Sequence, residues 1–296
     1  MNFTSELKKL AENVEEGFQV YLPKETGFQK ELWEAVNYSI MSGGKRLRPI
    51  FMYETYKMFG GTNEALIRPF MASLEMIHTY SLVHDDLPAM DNDDYRRGRL
   101  TTHKKYGEDM GILAGDGLLN YAFETASQAF LCEGEEKKTG QALTILAKKA
   151  GGYGMIGGQA VDVKSCGHAI DKEVLLFIHK HKTAALIECA MMIGAVLAGA
   201  DDRDIQTVEK IAGNVGVAFQ IQDDILDVEG NEMLIGKPLH SDEKNDKTTY
   251  VTLVGIENAK QEVEQYSEEA VQLLAGLKRQ SSFLESLIES LIHREK

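Results

Sequence analysis

Cysteine and proline are both scarce in this sequence of 296 residues. The three cysteines, Cys132, Cys166 and Cys189, are too few and too scattered for a disulfide framework or a thiolate metal site. Five prolines leave long segments free to form unbroken helices. No Gly-, Pro- or Ser-rich linker, internal repeat or low-complexity tract divides the chain, so we expect residues 1–296 to form a single domain.

Positive charge is in short supply as well. Lys and Arg number 32 against 46 Asp and Glu, which gives a formal net charge of −14 at pH 7. Proteins that bind nucleic acids present basic patches to the phosphate backbone, so we expect no nucleic-acid partner. A few local Lys or Arg side chains can still bind a small anion.

Long apolar runs are also missing. The most membrane-like run, residues 184–200, is shorter than the ~20 residues that a spanning helix needs, and Glu188 interrupts it. This run predicts a buried core helix and no membrane span. The N-terminal residues 1–18 are amphipathic and carry acids where a signal peptide would be apolar, so we expect a cytoplasmic protein.

Helical apolar periodicity, in contrast, runs along nearly the whole chain. It predicts an all-α fold, a bundle of roughly ten or more helices. The predicted helices are 3–20, 28–41, 49–59, 63–87, 107–132, 136–150, 152–163, 171–199, 204–229, 247–255, 257–277 and 281–293.

One of these helices ends in an acidic cluster. Residues 75–99 read EMIHTYSLVHDDLPAMDNDDYRRGR. Carboxylates this crowded repel one another, and an oxygen-rich cluster suits Mg²⁺, which completes its shell with waters and substrate phosphates. Guanidinium groups just downstream can bind the same phosphates bidentately. Taken alone, the run would more simply be a solvated acidic loop. The candidate metal ligands are Asp85, Asp86 and Asp91, and the candidate phosphate-binding residues are Arg96 and Arg97.

A second acidic cluster argues against that simpler interpretation. Residues 219–227 read FQIQDDILD, with Asp223 and Asp227 at i,i+4 within an apolar helical pattern. Both therefore lie on one helix face, while Asp224 is rotated ~100° away and suits a supporting role. Acids on an apolar helix are costly unless compensated, so the pattern favours a diphosphate held through Mg²⁺ between two carboxylate-bearing helices.

A basic loop precedes both clusters. Residues 43–49 read GGKRLRP, and proline fits the first turn of a helix. Exposed backbone N–H groups around Gly44, together with Lys45 and Arg48, form a candidate anion site. The alternative is an ordinary basic helix start.

Taken together, the motifs resemble those of the trans-prenyl diphosphate synthases. The match runs in order from residue 43 to residue 250, most of the chain. Because four residues separate the first Asp pair from the last Asp, the first acidic motif is similar to the bacterial farnesyl diphosphate synthase type. The matching motifs are GGKRLRP, DDLPAMD with RRG downstream, HKTAAL at 181–186 and FQIQDDILD.

This resemblance implies a central active-site cavity and a role for each matching residue. Lys45, Arg48, His78 and Arg97 would hold the diphosphate of isopentenyl diphosphate, and Arg96, Lys237 and Lys247 that of an allylic prenyl diphosphate. Lys182, Thr183 and Gln220 would stabilise the cation formed when the allylic bond breaks. From the residues alone, a lone helical His is more often a core residue, a Lys-Thr pair a polar helix face, and residues 236–250 a solvated loop.

The implied reaction joins dimethylallyl or geranyl diphosphate to isopentenyl diphosphate. More than one Mg²⁺ would neutralise the leaving diphosphate, and the alkene would attack the resulting cation. No protein nucleophile is required, and we identify no Ser/His/Asp or reactive-Cys arrangement. The resemblance also implies a homodimer formed through region 107–132.

Product length should depend on the helix that leads into the first acidic cluster. Tyr80 lies five residues before Asp85, ~7–8 Å along the axis, where a large ring could stop chain growth. Helix angles alone favour Ser81, one turn before Asp85. The resemblance favours Tyr80 and a farnesyl product.

Two alternatives remain open at this point. A geranylgeranyl diphosphate synthase would use the same residues. A non-catalytic partner subunit of another synthase should have lost one acidic cluster or the basic residues, and this chain has kept them. Terpene cyclases lack both the second acidic motif and GGKRLRP.

Overall fold

A computed structural model describes residues 3–229 and 248–292 and confirms the all-α prediction. Two compact units can be distinguished: unit 1 comprises residues 1–53 and 62–143, and unit 2 comprises residues 54–61 and 144–296. The single domain expected from the sequence stays a prediction.

Unit 1 is made of helices and one small hairpin. Two helices cross its boundaries, since the last turn of α3 (Leu47–Met58) and the second half of α7 (Glu136–Ala150) belong to unit 2. In chain order the elements are α1 (Phe3–Phe18), a 3₁₀ turn (Gln19–Tyr21), α2 (Lys30–Ile40), α3 (Leu47–Met58), α4 (Glu64–Asp85), β1 (Tyr95–Arg96), β2 (Arg99–Leu100), α5 (Thr102–Tyr106), α6 (Glu108–Ser127), a 3₁₀ turn (Gln128–Leu131) and α7 (Glu136–Ala150).

Helix α4 is the core of unit 1. It is apolar on nearly every side, as expected of a helix that is surrounded by others. Asn63 caps its first turn by accepting a hydrogen bond from the Ala65 amide at 3.1 Å. Helix α6 packs closely on α4 at Gly115. A Cβ added at this glycine would lie 2.9 Å from Cε1 of His84, so a larger residue would not fit. The helix that ends at Asp85 is therefore rigidly supported.

The periodicity did not predict the hairpin. Strands β1 and β2 pair antiparallel, Tyr95 with Leu100 and Arg96 with Arg99. The two turn residues, Arg97 and Gly98, have φ of 53° and 75°, as a two-residue hairpin turn requires. Strands of two residues are too short to give an alternating pattern in the sequence.

Unit 2 is built around one long helix, α11 (Asp202–Glu229), which packs against α10 (Ala185–Ala198) and α13 (Ile256–Ala275). Asp171 caps α9 (Lys172–Ile178), and Gly199, at φ 82°, ends α10 in the left-handed conformation. The remaining elements are α8 (Met155–Ser165), α9 (Lys172–Ile178), a π-helical turn (His179–Ala184), α10 (Ala185–Ala198), α11 (Asp202–Glu229), α12 (Tyr250–Val254), α13 (Ile256–Ala275) and α14 (Ser282–Ile292).

The predicted helix 171–199 is interrupted by that π-helical turn. In the described part of the chain, Lys172–Ala198 is the one helical stretch long and apolar enough to cross a membrane, and 72% of its apolar window is buried within the protein. A mostly buried stretch of this kind is typical of a core helix, as predicted for residues 184–200.

Two glycines allow neighbouring helices to contact the π-helical turn. A Cβ at Gly158 of α8 would lie 2.8 Å from Cα of Lys182, and one at Gly216 of α11 would lie 2.5 Å from Cα of Ala184. Both contacts involve backbone atoms, which cannot rotate away. The turn that carries Lys182 and Thr183 is therefore fixed from two sides.

Gly216→Ala is expected to lower the free energy of unfolding by about 1–3 kcal/mol, because the added methyl forces α11 away from Ala184. The matched control is Gly140→Ala in α7, where an added Cβ meets nothing within 4 Å. We expect that variant to gain about 0.5–1 kcal/mol from helix propensity. Urea denaturation of both variants measures the free energy of unfolding. Equal changes in that free energy would contradict the packing argument.

Candidate active site

The first acidic motif occupies the C-terminal end of α4 and the loop that follows. Asp85 is the last residue of α4 and is half-buried, whereas Asp91 is exposed. The Asp91 amide donates to the Asp85 carbonyl at 2.8 Å, so the loop folds back on the helix end. Both carboxylates therefore belong to one short structural segment.

Asp86 has a different environment from its neighbours. It is 3% exposed, and Nε and Nη2 of Arg96 contact its Oδ1 at 2.7 and 2.6 Å. Burial raises the pKa of Asp86, and Arg96 opposes that rise. Burial lowers the pKa of Arg96, but Asp86 outweighs it and the net pKa is raised. Asp86 thus fixes Arg96 in place, and its predicted role as a metal ligand stays a prediction.

The basic loop and the hairpin come together in unit 1. Nη1 of Arg97 donates to the carbonyl of Gly43, and a Cβ at Gly44 would lie 2.7 Å from the same nitrogen. Gly44 has φ 138°, which also favours glycine. Gly44 therefore makes room for a guanidinium group, a specific use of the glycine predicted at this anion site.

His78 lies among these cations. Burial lowers its pKa well below the usual value, and the charges of Arg48, Arg97, Arg46 and Arg96 lower it further. The imidazole is therefore neutral at pH 7 and can donate one hydrogen bond to an anion without adding charge. Among the described residues, the structure thus places Arg48, His78 and Arg97 in one cationic cluster, and Lys45 is exposed on the same loop.

Arg46 was not among the predicted site residues, and it points inward. Its guanidinium bonds Glu75 at 2.7 Å, Glu15 at 3.0 Å and the Ile40 carbonyl at 2.7 Å, and only 2% of the residue is exposed. Its φ of 50° is unusual for a non-glycine residue. Arg46 anchors the loop that presents Lys45 and Arg48.

The two candidates for controlling product length differ in burial. Tyr80 is 5% exposed, its ring packs edge-on against His84, and its hydroxyl makes no hydrogen bond. Burial and the charge of Asp85 raise the pKa of Tyr80 to about 12. Ser81 is half-buried, and its hydroxyl donates to the His78 carbonyl at 2.9 Å.

The second acidic motif lies near the C-terminal end of α11 in unit 2. Asp223 is exposed and Asp227 is half-buried, while Asp224 is 6% exposed. Asp224 accepts a hydrogen bond from the Tyr250 amide at 2.7 Å, at the start of α12. Asp224 therefore holds the N-terminus of α12 against α11, and its expected supporting role beside Asp223 and Asp227 stays a prediction.

The three residues predicted to stabilise the cation line one cavity in unit 2. The cavity measures about 130 Å³ and contains Lys182, Thr183 and Gln220 together with Asp162, His179 and Asp224. Thr183 donates its hydroxyl proton to Oε1 of Gln220 at 2.9 Å, so its oxygen lone pairs remain available to a positive centre. Burial lowers the pKa of His179 to about 4, so this ring is neutral at pH 7.

Asp162 contacts the predicted cationic residue directly. Its Oδ2 accepts a hydrogen bond from Nζ of Lys182 at 2.5 Å. Asp162, on α8, also lines this cavity, and its carboxylate orients Lys182.

The metal prediction rests on the donor set. Within residues 3–229 and 248–292, no three Asp, Glu, His or Cys side chains lie close enough together to hold a metal ion. Mg²⁺ binds one or two carboxylates and takes its other oxygens from water and substrate phosphates, and its predicted site at the two acidic motifs stays a prediction. Lys237 and Lys247, the remaining predicted phosphate ligands, lie outside the described residues.

Comparisons with known proteins agree with these observations. The Polyprenyl synthetase family profile matches residues 29–286. The chain is 40% identical to "Farnesyl diphosphate synthase" of Bacillus subtilis, with 99% of this chain and 98% of that protein covered, and 39% identical to "Geranylgeranyl diphosphate synthase" of Cyanophora paradoxa, with 99% and 97% covered. A Helicobacter pylori geranyltransferase structure, complexed with magnesium and isoprenyl diphosphate, superposes with a TM-score of 0.83 at 32% identity, with 99% of this chain and 97% of that chain covered. The chain belongs to the polyprenyl synthetase family and is a prenyltransferase, an enzyme that uses isopentenyl and allylic diphosphates.

Proposed function

We propose that the enzyme makes farnesyl diphosphate by adding isopentenyl diphosphate successively to dimethylallyl and geranyl diphosphates. One observation supports this most strongly: Arg48, Arg97 and a neutral His78 cluster in the unit whose central helix ends at Asp85. A cationic cluster next to carboxylates suits a diphosphate that arrives with divalent metal.

In unit 1, each group has a distinct task. Lys45, Arg48, His78 and Arg97 bind the diphosphate of isopentenyl diphosphate, and Gly44 leaves space for the Arg97 guanidinium. Arg96, fixed by Asp86, provides positive charge to the allylic diphosphate. Because these positions are set before substrate binds, little reorganisation accompanies the reaction.

In unit 2, the cavity around the π-helical turn stabilises the allylic cation. Lys182 is oriented by Asp162, and it provides fixed charge toward the leaving diphosphate. The oxygen of Thr183, whose proton is engaged by Gln220, presents lone pairs to the cation. The alkene carbon then bonds to the cation, and the proton lost from isopentenyl diphosphate goes to the released diphosphate, which balances the step without a protein base.

More than one Mg²⁺ per active site is part of this proposal. The proposed ligands are Asp85, Asp86 and Asp91 in unit 1, where Asp86 keeps Arg96 on its Oδ1, and Asp223 and Asp227 in unit 2. Bound Mg²⁺ supplies Lewis-acid stabilisation of the leaving diphosphate. Lys237 and Lys247 add phosphate contacts, as the family pattern implies.

We propose a homodimer formed through region 107–132. In support, this part of unit 1 leaves large apolar side chains in solvent, which a second copy would cover. They are Ile112, Leu113, Phe130 and Leu131, which are 43%, 51%, 44% and 84% exposed.

The test is direct: purified protein receives dimethylallyl and isopentenyl diphosphates with Mg²⁺, and the dephosphorylated products are identified by chromatography. We expect farnesol as the main product and no turnover with a chelator. A main product of twenty carbons would favour the geranylgeranyl alternative. Activation of another synthase without turnover by this protein would favour the partner-subunit alternative.

Tyr80→Ala is expected to shift most of the product from fifteen to twenty or more carbons, because it removes the buried ring below Asp85. Ser81→Ala is the matched control, since its hydroxyl bonds only within its own helix and its truncation opens little space. Product chromatography separates the two outcomes. An unchanged fifteen-carbon product from Tyr80→Ala would assign the ring to packing alone.

A further inference from the structure

Tyr38 of α2 contacts the hairpin that carries two of the proposed phosphate-binding arginines. Its hydroxyl donates to the Leu100 carbonyl of β2 at 2.8 Å. The Arg99 guanidinium lies over the ring, 4.2 Å from its centroid, and Nζ of Lys105 lies 3.7 Å from the same centroid. The ring of Tyr106 packs against it edge-on at 5.6 Å.

These contacts hold β2 from several directions. Arg99 also donates to the Met41 carbonyl at 3.0 Å, just beyond the end of α2. The side chains of Ser39 and Thr102 hydrogen-bond at 2.8 Å, so α5, which follows β2, is tied to α2 as well. Tyr38 is thus the centre of a set of contacts that fixes β2, the second strand of the hairpin.

Such a short hairpin has little stability of its own. Arg97 occupies its turn and reaches the Gly43 carbonyl in the basic loop. Arg96, on β1, is held separately by two contacts to the buried Asp86. Loss of the Tyr38 contacts should therefore displace Arg97 more than Arg96.

We propose that Tyr38 is a positioning residue for isopentenyl diphosphate binding, acting through Arg97 without touching the substrate. This inference rests on the proposed function for the identity of the ligand. It assigns a role to a residue outside every motif that the sequence presents. It also gives α2, which lies outside the motif-bearing segments, a part in substrate recognition.

Two substitutions separate the contributions of Tyr38. Tyr38→Phe removes only the hydrogen bond to Leu100 and keeps the ring face for Arg99 and Lys105. Tyr38→Leu removes the hydrogen bond and the ring. We expect the KM for isopentenyl diphosphate to rise about 3-fold for Phe and about 10-fold or more for Leu, with kcat within about 2-fold of wild type.

The KM for geranyl diphosphate is the internal comparison, because Arg96 keeps its contacts to Asp86. We expect it to change less than about 2-fold in both variants. Tyr21→Leu is the matched control: Tyr21 is also half-buried in unit 1, and it lies outside both the hairpin and region 107–132. A purely structural effect would change both KM values or kcat together, and that result would overturn the proposal.

A crystal structure of Tyr38→Leu provides a readout that does not depend on turnover. We expect Arg97 to leave the Gly43 carbonyl while Arg96 stays on Asp86. An Arg97 in its original place would overturn the proposal whatever the kinetics. Absence of turnover in the wild-type protein would instead reject the proposed function, and this structural comparison would still decide the role of Tyr38.

Discussion

Asp223→Asn is expected to reduce kcat about 10³-fold or more. The carboxylate is exposed on α11, and the amide that replaces it is a much weaker ligand for a divalent cation. Metal stabilisation of a leaving diphosphate contributes several kcal/mol, and each 1.36 kcal/mol is about tenfold in rate. The free energy of unfolding should change by less than about 0.5 kcal/mol, as for most exposed positions.

The adjacent residue provides the matched control. Asp224→Ala removes the acceptor of the Tyr250 amide, so a buried N–H loses its partner and stability falls by about 1–3 kcal/mol. Chemical denaturation and steady-state kinetics should therefore give opposite rankings for these two consecutive aspartates. Full activity in Asp223→Asn would refute the metal assignment for the second acidic motif.

The helices could be predicted because the sequence carries their signals directly. Apolar periodicity and scarce proline predicted both ends of α4 and of α11 to within two residues: 63–87 against Glu64–Asp85, and 204–229 against Asp202–Glu229. The π-helical turn could not be predicted this way. It lies where α8 and α11 approach it closely at Gly158 and Gly216, and such tertiary contacts leave no local pattern in the sequence.

The sequence motifs predicted which residues form the candidate site, but not how their side chains are oriented. The GGKRLRP motif contains three cations, and their spacing does not reveal which way each points. In the structure, Arg46 points inward to Glu75, whereas Arg48 lies near His78. Similarly, Asp85 and Asp86 look equivalent in sequence, and burial distinguishes them, since Asp86 holds Arg96. Helix angles already set Asp224 apart from Asp223, but they do not reveal its hydrogen bond to the start of α12.

Tyr38 is the clearest example of a residue whose role cannot be predicted from the sequence. It lies in a predicted helix with no acidic, basic or glycine-rich motif around it, so no local pattern marks it. Its partners Leu100 and Lys105 are more than sixty residues away in the sequence. Only the folded chain brings the ring to the hairpin.

Arg46→Met is expected to lower the free energy of unfolding by about 3–5 kcal/mol. The substitution leaves Glu75, which is 3% exposed, without the guanidinium that bonds it at 2.7 Å. An uncompensated buried charge is costly, whereas Glu15 is 37% exposed at its side chain and stays hydrated. Urea denaturation of the purified variant measures the loss.

Lys30→Met is the matched control, because its partner Glu34 lies at 3.1 Å on the surface and such pairs contribute less than about 0.5 kcal/mol. The double variant Arg46→Met/Glu75→Leu should recover most of the lost stability, since it removes the stranded carboxylate as well. If the double variant were no more stable than Arg46→Met, the cost would come from the loop itself. In that case, the guanidinium contacts of Arg46 to Glu15 and to the Ile40 carbonyl would be what holds the loop backbone at its φ of 50°.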